Sequence, residues 1–214
     1  MSKTVLLGVL GLMVVVFLAA NYFLPKGRDT DDKDKPAPSE NETVSLGQPP
    51  AMEIDQNKKY SAILRTSKGD IDLDLFADKT PVTVNNFVHL ARTDFYNGTI
   101  FHRVIAGFMI QGGDPLGDGT GGPGYTFNDE PIEGEYSRGT VAMANSGPNS
   151  NGSQFFIMHQ DYDLPKNYVI FGKVSKGLDV VDKIATAPVE DSVFGEKSRP
   201  EEPVKILSVK ISEK

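Results

Sequence analysis

Short segments in which apolar and charged side chains alternate are the feature that most constrains the fold of this chain. In residues 69–76, Ile71, Leu73 and Leu75 alternate with three aspartates. An alternation of period two is typical of a β-strand with one buried and one exposed face. Further strand-like segments lie at residues 60–67, 139–145, 153–158, 168–174 and 204–211. The 21 glycines and 14 prolines of the chain indicate many turns.

Two other segments have helical periodicity. Thr80 and Pro81 are the residue types of an N-cap and a first helical position. The helix that they open would have an apolar face of Val84, Phe87, Val88 and Ala91. Residues 177–185 predict a second, shorter helix. Because helices and strands do not alternate as in βαβ units, the predicted fold class is mainly β, an antiparallel barrel or sandwich with helices over its open ends.

The N-terminal residues predict a membrane segment. After the basic residue Lys3, residues 5–24 are almost wholly apolar, and a helix of this length is about 30 Å long, enough to span a bilayer. We therefore expect residues 1–24 to be a transmembrane anchor. A cleaved signal peptide is the alternative, since Ala19 and Ala20 are small. The basic start predicts a single-pass protein of the cell membrane with its folded part outside the cytoplasm, or a secreted protein after cleavage.

Residues 25–57 are charged, contain prolines and have few aromatic side chains. Such a composition predicts a disordered linker, with an acidic partner-binding tail as the alternative. The folded domain is expected at residues 58–214. It carries 17 basic and 21 acidic side chains, and this balance argues against nucleic acid as its ligand.

Several kinds of chemistry are disfavoured by the residues present. The chain has no cysteine, and His89, His102 and His159 do not have ligand spacing, so no metal site and no cofactor are expected. The alternating aspartates at 70–74 lack the glycine of a calcium loop. The G-x-G-x-x-G match at residues 119–124 is followed by no predicted helix, which indicates a surface loop. A reaction driven by positioning, hydrogen bonding and desolvation remains.

Residues 101–114 combine one arginine, one glutamine and several large apolar side chains. On a strand, Met109 and Gln111 share a face, as do Gln154 and Phe156. Two strands that each present an apolar and an amide side chain could form a site for a proline-containing peptide. The alternative is that four apolar side chains are ordinary residues of the barrel core: Phe101, Phe108, Met109 and Phe156.

The run Phe-His-Arg-Val-Ile-Ala-Gly-Phe-Met-Ile-Gln-Gly-Gly-Asp at residues 101–114 closely resembles the signature of cyclophilin-type peptidyl-prolyl cis–trans isomerases. Similar segments at residues 119–122, 143–157 and 169–174 follow in the order of that family, and the resemblance covers about residues 60–212. It implies a closed eight-stranded antiparallel β-barrel capped by two α-helices. It also implies a groove on the outside of the barrel that binds Xaa-Pro peptides.

The resemblance also implies roles for single residues, with Arg103 as the catalytic residue. The residues implied to contact the proline ring are apolar, namely Phe108, Met109, Phe156 and Leu164. The residues implied to hold the peptide backbone are Gln111, Ala144, Asn145 and Gln154. Two positions depart from the family. Asp163 stands where many members have tryptophan, which predicts weakened cyclosporin binding. Tyr168 replaces a frequent histidine but still offers the groove a ring and a hydroxyl.

The expected function is isomerisation of Xaa-Pro bonds in other proteins, assisting their folding outside the cytoplasm. We expect a monomer that needs no cofactor and whose partners are proline-containing segments, with the membrane bound through residues 5–24. The alternative is a non-catalytic proline-peptide-binding module or chaperone on the same barrel. The presence of Arg103 favours the enzyme, because simple binding does not require that arginine.

Overall fold

The structure is a computed structural model, and it describes residues 47–214. The predicted anchor and most of the predicted linker lie outside these residues. Within residues 47–214, two α-helices accompany ten β-strands, whose bounds are, in chain order, β1 Tyr60–Thr66, β2 Gly69–Leu75, α1 Pro81–Arg92, β3 Arg103–Ile105, β4 Met109–Gly112, β5 Thr140–Met143, β6 Phe155–Met158, β7 Ile170–Lys176, α2 Leu178–Ala185, β8 Val189–Asp191, β9 Lys197–Pro200 and β10 Ile206–Glu213. The predicted mainly β class with two helices is confirmed.

Eight of these strands form one antiparallel sheet in the order β10-β1-β2-β7-β5-β6-β4-β3. The predicted closed barrel is wrong, because the sheet is a strongly curled half-barrel whose end strands β10 and β3 do not pair. Residues 98–101 lie beside the start of β10, where the Gly98 amide donates to the Ile206 carbonyl and the Ile206 amide donates to the Thr99 carbonyl (2.8 Å each), but they form only an isolated bridge, between Ile100 and Lys205. β3 has three residues, too few to extend a ladder across the gap. β8 and β9 form a separate hairpin.

Side chains on the two faces of the sheet form two separate apolar clusters. The inner cluster is the core under both helices, where Phe155 meets the rings of Phe87 and Tyr96 edge-on, each at 5.7 Å. The outer cluster has as its buried members Met109, Tyr136, Ala142, Phe156, Met158 and Ile170. Consecutive residues of a strand point to opposite faces. Accordingly, Ile110 and Ile157 belong to the inner cluster, whereas Met109 and Phe156 belong to the outer one.

Helix α1 begins as predicted, with Thr80 as N-cap and Pro81 in the first turn, and all four residues of its predicted apolar face are buried. The side chain that accepts the hydrogen bonds of the first helical turn was not predicted. The Thr80 hydroxyl bonds to the Phe76 carbonyl (3.3 Å), and the free amides of the first turn are bound by Glu130. Its carboxylate accepts from the amides of Val82 (3.0 Å) and Thr83 (2.7 Å). A carboxylate at this end also interacts favourably with the helix dipole.

We expect Glu130→Ala to lower the free energy of unfolding by about 1 kcal/mol, the usual effect of removing a side-chain cap. The loss arises because amides of the first helical turn lose their acceptor. Urea unfolding of the full chain would measure it. The exposed Glu133 supplies the control, and equal stabilities of Glu130→Ala and Glu133→Ala would show that the cap contributes nothing.

Contacts with the fold begin before residue 58, inside the segment predicted as a linker. The side-chain oxygen of Asn85 on α1 accepts hydrogen bonds from the amides of Glu53 (2.7 Å) and Ile54 (3.3 Å). The Asn85 amide group donates to the Ala51 carbonyl (2.9 Å), and Ile54 is buried. Residues 51–54 therefore lie against the domain. Within residues 47–214, none of the helices has the length and apolar character needed to cross a membrane.

Candidate functional site

The predicted site residues of strands β3, β4 and β6 lie side by side on the outer face of the sheet. Arg103 on β3 pairs with Gln111 on β4, and Gln111 pairs in turn with Phe156 on β6. Three antiparallel strands thus present one cationic, one amide and one aromatic side chain in a row. Arg103 and Gln111 are both partly exposed, whereas Phe156 is buried.

The Arg103 guanidinium is held by Glu196, which sequence reasoning missed. Its Nε donates to Glu196 Oε2 (2.7 Å) and its Nη2 donates to Glu196 Oε1 (2.9 Å). This bidentate geometry is the one that arginine and carboxylate groups form best. The guanidinium holds the pKa of the Glu196 carboxyl below its usual range. Arg103 also lies over the ring of Phe108, with its Cζ 5.9 Å from the ring centroid.

An apolar wall stands beside Arg103 and consists of members of the outer cluster. It contains every apolar residue predicted to hold the proline ring, together with Ala144 and Tyr168: Phe108, Met109, Ala144, Phe156, Leu164 and Tyr168. Met109 and Phe156 are buried, and the other four are partly exposed. The alternative interpretation placed Phe101, Phe108, Met109 and Phe156 in the core. Of these four residues, only Phe101 belongs to the inner cluster.

Tyr136, which was not predicted, holds the predicted residue Tyr168 of this wall in place. Tyr136 is buried and fixes the chain at Tyr168, since its hydroxyl donates to the Tyr168 carbonyl (2.9 Å) and accepts from the Tyr168 amide (3.0 Å). The Tyr168 ring then meets Phe156 edge-on at 5.5 Å. Burial raises the pKa of the Tyr168 phenol, so the hydroxyl is neutral at physiological pH.

The rim near Leu164 is formed by Asp163 and Tyr162. Asp163 is exposed, and the neighbouring Tyr162 places its ring 4.6 Å from that of Phe108. An aromatic side chain therefore still covers Phe108 at this rim. In the sequence, only the position of Tyr162 two residues before Leu164 indicated a role at this rim.

The amide side chains form a chain of hydrogen bonds. Gln111 Nε2 donates to Gln154 Oε1 (2.9 Å), and Gln154 Nε2 donates to the carbonyls of Gly119 and Gly121 (2.9 Å each). Both amide hydrogens of Gln154 are thereby used, whereas the bond between the two side chains uses only one of the two amide hydrogens of Gln111. Gln154 thus orients Gln111 and anchors the glycine-rich loop. Asn145 donates to the Asn167 carbonyl (2.8 Å), next to Tyr168.

The glycine-rich loop is organised by Asp114, which is fully buried. Its carboxylate accepts from the amides of Leu116 (2.8 Å), Asp118 (3.1 Å) and Gly119 (2.6 Å). Gly121 is required, because a Cβ there would stand 2.0 Å from the Asp114 carboxylate. No helix follows residues 119–124, which confirms the interpretation as a surface loop.

His102 lies beneath this loop and not beside Arg103, as strand parity predicted. It is buried, and neither of its ring nitrogens makes a hydrogen bond to the residues that the structure describes. Burial lowers the pKa of the imidazole, and the nearby Asp114 carboxylate partly opposes that effect. His102 is therefore a neutral packing residue at physiological pH. Residues 47–214 contain no group of three potential metal-ligating side chains.

Comparison with known proteins gives consistent matches. The family model described as "Cyclophilin type peptidyl-prolyl cis-trans isomerase/CLD" matches residues 61–211. The chain is 48% identical over 168 residues to peptidyl-prolyl cis-trans isomerase B of Streptomyces anulatus, covering 69% of this chain and 94% of the relative. It is 46% identical over 140 residues to the human peptidyl-prolyl cis-trans isomerase-like 3, covering 63% and 87% respectively.

Solved structures match at the level of the fold. The crystal structure of a cyclophilin type peptidyl-prolyl cis-trans isomerase from Cryptosporidium parvum superposes with a TM-score of 0.66 at 36% identity, covering 72% of this chain and 98% of that one. A second structure of that protein, in the presence of the dipeptide Ala-Pro, gives a TM-score of 0.65 at 36% identity and covers 71% and 98%.

Proposed function

Since this chain belongs to the cyclophilin-type family of peptidyl-prolyl cis–trans isomerases, we propose that it catalyses rotation of Xaa-Pro bonds with Arg103 as the catalytic residue. The observation that carries the proposal is the position of the Arg103 guanidinium over the Phe108 ring, beside the apolar wall. A cation and an apolar surface thus adjoin each other. The Ala-Pro dipeptide used with the related Cryptosporidium parvum protein agrees with a proline-containing ligand.

The chemistry requires no nucleophile. Resonance in the peptide bond gives rotation a barrier of roughly 18–20 kcal/mol. Twisting the bond removes that resonance and leaves a lone pair on the prolyl nitrogen. A guanidinium donor directed at this nitrogen bonds the twisted state more strongly than the planar one, which lowers the barrier by differential binding. Arginine suits this role because it stays protonated at every physiological pH.

The surrounding residues hold the peptide for this step. Phe108, Met109 and Phe156 would contact the proline ring, and Leu164 and Tyr168 would close the wall around it. Gln111, Ala144 and Asn145 would hold the peptide backbone. Gln154 would act mainly through Gln111, because its own two amide hydrogens are already bonded to the loop.

A non-catalytic binding module remains the second candidate, and one observation favours it. Glu196 takes two of the donors of Arg103 and balances its charge, so the arginine could be a purely structural member of the groove. Turnover and peptide binding measured on wild type and Arg103→Ala separate the candidates. An enzyme loses turnover and retains binding, whereas a module has no turnover to lose.

We further propose that the domain acts outside the cytoplasm on unfolded or folding secreted chains. The support is the basic start and apolar run at residues 5–24, followed by an acidic linker. In fractionated cells we expect the protein in the membrane fraction, with residues 1–20 detectable by mass spectrometry. A mature N-terminus that begins after these residues would instead show a secreted form. Recovery from the cytoplasmic fraction alone would contradict both.

A further inference from the structure

The hairpin β8–β9 brings one carboxylate to the proposed catalytic arginine. Its turn comprises residues 192–196, and β9 runs beside β3, the end strand of the main sheet. Glu196 leaves this turn and reaches the Nε and Nη2 atoms of Arg103 at 2.7 and 2.9 Å. No residue of the hairpin was assigned a role by the sequence motifs, which end at residue 174.

The pair is more sheltered than an ordinary surface ion pair. The side chains of Arg103 and Glu196 are 22% and 26% exposed, whereas those of Arg199 and Glu190 in the same hairpin are 57% and 48% exposed. Shelter matters because exposed pairs are weakened by solvent and salt and by the entropy of two mobile side chains. The sheltered bidentate pair fixes the plane of the guanidinium, which a single contact would leave free to rotate.

The turn that carries Glu196 is itself well ordered by hydrogen bonds. The Ser192 amide donates to the Glu196 carbonyl (2.7 Å), and the Ser192 hydroxyl accepts from the Glu196 amide (3.3 Å). Gly195 has φ of +76°, a conformation that glycine adopts without strain. The backbone of Glu196 is therefore fixed, and its carboxylate is a defined anchor for Arg103.

The donors of arginine leave room for a second ligand. A guanidinium group has five N–H donors, and the pair with Glu196 uses one on Nε and one on Nη2. This pair does not use the two hydrogens of Nη1 or the second hydrogen of Nη2. The carboxylate thus occupies one edge of the fork and leaves the opposite edge for a substrate nitrogen.

We propose that Glu196 is a positioning residue, which fixes the guanidinium of Arg103 so that its remaining donors meet the prolyl nitrogen of the substrate. This inference rests on the proposed catalytic role of Arg103 and adds to it the residue that sets its orientation. Because Glu196 acts through Arg103, its removal lowers the rate of the twisted-bond step and leaves peptide binding to the apolar wall intact.

The test measures kcat, KM and peptide affinity for the full chain by exchange NMR with an Xaa-Pro peptide. For Glu196→Ala we expect kcat to fall on the order of tenfold, within the roughly 100-fold that a 1 Å misplacement of a reacting group can cost, with peptide affinity retained. Glu196→Gln keeps the side-chain length and one acceptor oxygen, and an intermediate rate is expected. The matched control is Glu190→Ala, which removes the exposed pair of the same hairpin and should change kcat by less than about twofold.

A double variant separates positioning from general damage to the hairpin. If Glu196 acts through Arg103, adding Glu196→Ala to Arg103→Ala causes no further loss of turnover. A further loss of turnover in the double variant would overturn the proposal. A Glu196→Ala rate equal to that of Glu190→Ala would also overturn it. So would a Glu196→Ala rate faster than wild type, because the carboxylate would then be a competitor of the substrate. An inactive wild type would overturn the proposed function itself and is distinct from all of these results.

Discussion

Arg103→Ala is expected to lower kcat/KM for an Xaa-Pro peptide on the order of 100-fold, the usual loss when one transition-state donor is removed. The loss should fall on kcat, because the guanidinium bonds the twisted peptide better than the planar one. Peptide affinity should persist, since Phe108, Met109 and Phe156 remain to contact the proline ring.

Exchange NMR of a proline peptide reports the turnover directly, and titration of the same peptide reports its affinity. Arg199→Ala is the matched control, because Arg199 is an arginine of the neighbouring hairpin whose ion pair with Glu190 is exposed to solvent. Turnover of Arg103→Ala within about twofold of wild type would remove the catalytic role, given that single catalytic groups usually contribute far more.

Phe155→Ala is expected to lower the free energy of unfolding by about 3–5 kcal/mol, the range for truncating a large buried aromatic residue. Phe155 is fully buried, and its ring lies edge-on to those of Phe87, Tyr96 and Phe101 at 5.7, 5.7 and 6.5 Å. Alanine would leave a cavity among three rigid rings that cannot collapse to fill it.

Urea unfolding of the full chain would measure this loss. The control is Phe194→Ala at the tip of the β8–β9 hairpin, where the ring is 47% exposed and truncation should change stability by less than about 0.5 kcal/mol. Similar stabilities of the two variants would mean that the inner cluster does not hold the sheet together.

Local periodicity explains which parts of the fold were predicted correctly. The alternation around Ile71, Leu73 and Leu75 is a property of neighbouring residues, and all three are buried in β2 as expected. The apolar face of α1 and the shared face of Met109 and Gln111 follow from the same kind of short-range rule. These rules do not depend on how the sheet closes.

The errors and omissions involve residues that meet across long stretches of chain. Glu130 caps a helix that begins 49 positions earlier, and Glu196 meets an arginine 93 positions away. A single glutamate in a turn-rich segment has no periodic signal, so neither contact could be deduced locally. Whether β3 would meet β10 likewise depended on the path of residues 98–101, which the alternation pattern does not encode.

The alternation of inner and outer cluster residues along β4 and β6 has a consequence for how this domain can vary. Replacing a side chain on one face leaves the other face in place, so the groove can change its ligand without a new core. Deleting or inserting one residue within either strand would instead exchange the two faces beyond that point. Ile110 would then stand in the groove and Met109 or Gln111 in the core. We therefore expect length differences among related domains to be confined to the turns. Strands β4 and β6 should tolerate substitutions but not insertions or deletions of one residue.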